Sequence, residues 1–130
     1  MFAPVDAAWV SLAKEENTTP SGLLTNLVVL RQLVFSNIVP NSIIDAALLR
    51  VLPSITPETK TPIFVAASPG APISLISPGS TARVTTPDAF VGCNYVIHKT
   101  NAVLESSPVG TSGVNPAYQS ALSTGRAAGR

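Results

Sequence analysis

The order of apolar and polar residues changes character once along this chain, near Ser54. Ahead of it, apolar residues recur three and four apart, the period of a helix with one buried face. Residues 7–16 carry Trp9, Val10, Leu12 and Ala13 and predict a short helix, with Asp6 as its N-cap. A longer helix is predicted over 21–36, capped by Thr19 or Ser21. Leu23, Leu24, Leu27, Leu30 and Val34 form its stripe and are expected to face the core. Asn41 and Ser42 open a third helix over 43–49, closed before Pro53.

After Ser54 the runs shorten and prolines separate them. Residues 63–67, 73–77 and 82–86 read as strands, with Ser68-Pro69-Gly70 and Ser77-Pro78-Gly79 as turns between them. Pro87-Asp88-Ala89-Phe90 is predicted as a further turn. The run 94–104 is rich in β-branched residues and alternates through Val96, His98 and Thr100, so it reads as a central strand. Residues 2–5 read as the end of another. Helices first and strands later give an α+β domain with an antiparallel meander. It is expected to occupy 1–105. Residues 106–130 are rich in Ser, Gly and Ala, with Val109, Val114 and Tyr118 as the sizeable apolar side chains. They are predicted to form a flexible tail, with a transient helix over 116–123.

Composition narrows the function. With 130 residues the chain suits one domain. Charged residues are only 12% against roughly 25% in average soluble domains. The net charge is +1 and the basic residues are scattered in sequence, which gives no argument for nucleic acid or an acidic membrane. Apolar residues make up 45%, yet no run approaches the roughly 20 needed to cross a bilayer. Cys93 is the single cysteine. No internal disulfide or thiolate metal site follows, and its apolar neighbours predict a buried free thiol. His98 is the single histidine, and neither a nucleophile elbow nor a phosphate-binding loop is present. The seven carboxylates show no pairing in their spacing. No catalytic constellation and no cofactor are therefore expected. Asn17-Thr18-Thr19 has the acceptor pattern for an N-linked glycan.

Two stretches together carry a family resemblance. Phe2-Ala3-Pro4-Val5-Asp6, followed by Trp9, resembles the first signature box of the fasciclin domain. Asn94-Tyr95-Val96-Ile97-His98, continued to Leu104, resembles the second, in the right order and at about the usual separation. The resemblance covers roughly residues 2 to 105 and lacks the helices that the family carries ahead of the first box. It implies a fasciclin-like fold, with Phe2, Ala3, Pro4, Asp6, Val96, Ile97, His98 and Leu104 as fold residues and His98 as a structural histidine. Phe35-Ser36-Asn37-Ile38-Val39-Pro40 falls where many members have Tyr-His-Val-Val-Pro. Ser36 and Asn37 replace the Tyr-His pair associated with integrin adhesion, so that property does not carry over. Asn101 stands where Asp is usual, so no charged His–Asp contact is expected.

The resemblance implies a non-catalytic adhesion or interaction module that binds a protein or glycan partner. Its expected location is the cell surface, matrix or wall, or else an organelle lumen, with the export signal not in this chain. The alternative is a soluble carrier of an apolar small molecule such as a carotenoid. Its groove would lie between the first helix and the strands, lined by Trp9, Leu12, Ile97 and Val103.

Overall fold

A computed structural model describes residues 1–107 and 114–123. Its elements run β1 (Phe2–Pro4), α1 (Asp6–Glu15), α2 (Pro20–Thr25), α3 (Leu27–Ser36), α4 (Ala46–Val51), β2 (Ser54–Ile55), β3 (Ile63–Ala66), β4 (Ser74–Ile76), β5 (Thr81–Val91), β6 (Val96–Thr100) and α5 (Pro116–Ser123). Among the described residues the strands form one six-stranded sheet in the order β1-β6-β5-β4-β3-β2. Neighbours from β2 to β6 are antiparallel, whereas β1 lies parallel to β6. The architecture is mixed α+β.

The first and the last strands in sequence are therefore partners. Phe2 pairs with His98, Ala3 with Lys99 and Pro4 with Thr100. A parallel pair needs a long crossover between its strands, and here nearly the whole domain serves as that connection. One face of the sheet packs Phe2, Leu75, Val84 and Leu104 together with Leu49 of α4. On the opposite face α5 sets Tyr118 against Phe64, with ring centroids 4.9 Å apart. A separate cluster of Ala8, Leu12, Leu23, Leu33 and Val103 joins α1, α2 and α3 to the segment after β6.

Several predicted boundaries are corrected. Val5, not Asp6, is the N-cap of α1, and it offers no side-chain cap; Asp6 opens the helix, where its charge favours the N-terminal end. The single helix predicted over 21–36 is two helices. Thr19 caps α2 through its hydroxyl, and Asn26 breaks the run because its side chain accepts the Val29 N–H as the cap of α3. The apolar stripe divides with it. Leu23 is buried, while Leu24 and Leu27 are 59% and 73% exposed. The third helix is displaced to Ala46–Val51 because Asp45 caps it by accepting the Leu48 N–H at 2.8 Å.

The turn predicted at Pro87–Phe90 is instead part of β5, which continues to Val91 against β6 through two register irregularities. Asp88 takes a left-handed φ of 49° there, and a bulge accepts Pro87 because no ladder N–H is required of it. The strand predicted over 94–104 is limited to Val96–Thr100. The strand β2 was not predicted. Cys93 is exposed rather than buried, because it sits in the turn closed by the Gly92 N–H on the Tyr95 carbonyl. Of the predicted tail, Ser106 is buried, and α5 packs Tyr118 and Ala121 into the fold. Val114 is exposed, and the rest of that prediction, residues 108–113 with Val109 and residues 124–130, lies outside the described residues.

Candidate functional site

The chemistry-bearing side chain of the sequence, His98, is used by the fold. It is 1% exposed and lies in β6 beside Phe2, with ring centroids 5.7 Å apart. The Asp88 N–H donates to His98 Nδ1 at 3.0 Å. Nδ1 is thus an acceptor, so Nε2 carries the proton and donates to the Ile44 carbonyl at 2.8 Å. Both ring nitrogens are occupied, and the ring is almost wholly enclosed. A carboxylate does stand near the imidazole, from Asp88 rather than from position 101, with Oδ1 at 3.9 Å from Nδ1. That oxygen also accepts the Ala46 N–H at 2.9 Å, which ties α4 to the same point. Asn101 faces elsewhere and accepts the Arg83 N–H at 2.7 Å.

The remaining box residues extend this seam. Phe2 and Val96 are buried, Leu104 fully so, and Ala3, Pro4 and Ile97 are half-buried. Asp6 is exposed. Asn37, in the segment where the Tyr-His pair is replaced, is 3% exposed and joins three elements. Its carbonyl accepts the Phe2 N–H at 2.8 Å, and its amide donates to the carbonyls of Leu33 and Leu104. Ser36 is buried beside it and bonded to Gln32 and Ser106. These two side chains hold the interior and present nothing to a partner.

The four residues proposed to line an apolar groove are not brought together. Leu12 and Val103 meet in the helical cluster, with Trp9 packed at its margin. Ile97 pairs with Phe90 on the far strand of the hairpin. Between α1 and the strand layer, where that groove was expected, the space is only ≈ 60 Å³, lined by Leu12, Val103 and polar neighbours. This is well below the roughly 300 Å³ at which small-molecule sites begin.

An apolar groove does exist on the other side of α1. It lies between α1 and α2, has a volume of ≈ 290 Å³ and is lined by Asp6, Trp9, Val10, Pro20, Leu23 and Leu24. Leu23 forms its buried floor, and Val10 and Leu24 its exposed walls, 47% and 59% accessible. Leu27 and Val28, at 73% and 80%, extend apolar surface along the start of α3. The signal was present in the sequence. Leu27-Val28-Val29-Leu30 is four apolar residues in succession, and one face of a helix cannot hold them all.

The α1–α2 turn beside the groove has its own geometry. Asn17 adopts φ 54°, its N–H donates to the Lys14 carbonyl, and the Thr18 N–H reaches the Ala13 carbonyl. This is a Schellman closure with Asn in the left-handed position. Asn17, Thr18 and Thr19 are all exposed. Among the described residues, no three His, Cys, Asp or Glu side chains gather as metal ligands. No described helix is long and apolar enough to cross a membrane. Neither a scan against protein-family models nor a search of curated proteins returns a match for this chain.

Proposed function

We propose that this chain is a fasciclin-like, non-catalytic interaction module that holds a protein or glycan partner at a cell surface, matrix or wall. The observation that carries the reading is the division of labour just described. The imidazole is enclosed and bonded at both nitrogens, while large aliphatic side chains of α1, α2 and α3 stand in solvent around a groove. Contiguous exposed apolar surface of this kind marks interaction sites. A groove of this size accepts one or two apolar side chains of a partner, as buried anchors do in protein interfaces. Export also brings Asn17 within reach of glycosylation, in an exposed turn that leaves room for the sugar.

The test is saturable binding of the labelled chain to a matrix or wall preparation in about 0.5 M salt, which screens surface charge contacts and leaves binding through the apolar groove. Leu24→Glu/Leu27→Glu is expected to abolish it. Binding that survives this double substitution overturns the reading.

The apolar lining of the same groove favours a second reading, carriage of an apolar small molecule. With ≈ 290 Å³ available, at the lower limit for ligand sites, a carotenoid would lie along the groove and not within it. Trp9 is the sole tryptophan and lines the groove. Quenching of its emission by added carotenoid, with matching visible absorption of the purified complex, supports this reading. Unchanged emission eliminates it.

A further inference from the structure

We infer that the uncovered half of the outer sheet face binds an acidic polysaccharide, a chain of carboxylated or sulfated sugars, through Arg83 and Lys99. The inference rests on reading the chain as an exported interaction module and names one partner class for it. It concerns a different surface from the α1–α2 groove.

Register places the residues. On the outer face, Phe64, Ile76 and Thr81 form one row across β3, β4 and β5, and Ala66, Ser74 and Arg83 form the next. Helix α5 covers the first row, with Tyr118 on Phe64 and the Asn115 amide on Thr81 Oγ1 at 2.8 Å. Among the described residues no element covers the second row. Arg83 is exposed between buried Ala82 and Val84, and Lys99 is exposed between buried His98 and Thr100, so both cations project away from the core. Arg83 stands opposite Asn101, which makes Lys99 its diagonal cross-strand neighbour on the same face. Among the described residues neither side chain forms a hydrogen bond or an ion pair.

One depression, of ≈ 400 Å³, adjoins this row and runs from Ala66 and Ser74 to Arg83. A second, of ≈ 260 Å³, lies around the end of the sheet on the α4 side, lined by Arg50, Ile73, Val84 and Thr85. They share Ala71 and Pro72, and no carboxylate lines either. Arg50 donates to the Ala71 carbonyl at 2.9 Å and so holds the loop between them from the α4 side. Arg83, in a depression that no carboxylate lines, with the unpaired Lys99 on the same face, favours an anion. The small hydroxyls of Ser68 and Ser74, with flat Ala and Pro surface beside them, suit sugar rings, which present both hydroxyls and apolar faces. An acidic peptide is a poorer match. Extended peptides are held by free backbone groups at a sheet edge, whereas β4 has a strand on either side.

The experiment passes the full chain at low salt over immobilised polygalacturonate, dextran sulfate, neutral dextran and polyglutamate. Retention is expected on one or both acidic polysaccharides and not on dextran, and which of the two retains it identifies the acid. Arg83→Gln/Lys99→Gln is expected to weaken binding by about tenfold or more, as loss of charge-assisted bonds does. Lys14→Gln/Arg31→Gln makes the same change in net charge elsewhere and is expected to leave binding within about twofold. Leu24→Glu/Leu27→Glu is expected to leave it intact, which separates this surface from the groove. Equal weakening by the two charge-removing pairs, equal or tighter binding to polyglutamate, or retention on neither polysaccharide overturns the inference.

Discussion

The seam between β1 and β6 and the groove between α1 and α2 both gather large side chains, and they use them in opposite ways. At the seam, aromatic and polar groups close on one another. Phe2 covers the His98 ring, both ring nitrogens have partners, and Asn37 joins Phe2, α3 and Leu104. Among the described residues no buried side-chain nitrogen or oxygen is left without a hydrogen bond. At the groove, Leu24, Leu27 and Val28 make no comparable closure and remain in water. The difference teaches that the single histidine belongs to stability, and that the apolar area left uncovered at the groove is not used by the fold.

Substitutions should separate the two regions sharply, beginning at the seam. Phe2→Ala removes a ring that is 2% exposed and is expected to cost about 3–5 kcal/mol, measured by urea unfolding. A cost near zero would mean that β1 is not held as described. His98→Ala leaves the Ile44 carbonyl and the Asp88 N–H without partners, at about 1–3 kcal/mol for each buried group left unsatisfied. Matrix binding by the fraction that remains folded should be unchanged. Asn17→Ala forces a β-carbon-bearing side chain without a local hydrogen bond into the left-handed region, which costs about 1 kcal/mol, while Asn17→Gly should be neutral or stabilising.

The smallest effect concerns α5. The Tyr118 hydroxyl donates to the Pro62 carbonyl at 3.1 Å, and burial raises its pKa above the ordinary 10.0. The folded state therefore keeps the phenol proton longer than the unfolded state does. The corresponding stability is complete below pH 10 and is lost as pH rises through the folded value. Tyr118→Phe should remove that alkaline slope, at a neutral-pH cost of about 1 kcal/mol for the hydrogen bond. An unaltered slope would place the titrating group elsewhere.

What was legible in the sequence follows the range of the forces involved. Local rules found α1, the Thr19 cap and the existence of most strands, because helix period, caps and turn residues act within a few positions. They failed at Asn26, where a cap signal lay inside an apolar stripe, and at Pro87, which a bulge absorbed. Cys93 was misread because its apolar neighbours Val91 and Tyr95 belong to an exposed hairpin end. The face carrying Arg83 and Lys99 was invisible for another reason. These cations are scattered in sequence and only strand register makes them neighbours. The α1–α2 groove was half legible, since the surplus of apolar residues over 27–30 was visible but not which of them the core would leave out.

The most direct measurement pairs urea unfolding with matrix binding in about 0.5 M salt, where charge contacts are screened, for one variant, Leu24→Glu/Leu27→Glu. Both residues are more than half exposed, so stability should move by no more than about 0.5 kcal/mol, while binding is lost. A variant that unfolds as its binding disappears, or that keeps both, would contradict the claim that this apolar surface serves recognition rather than the fold.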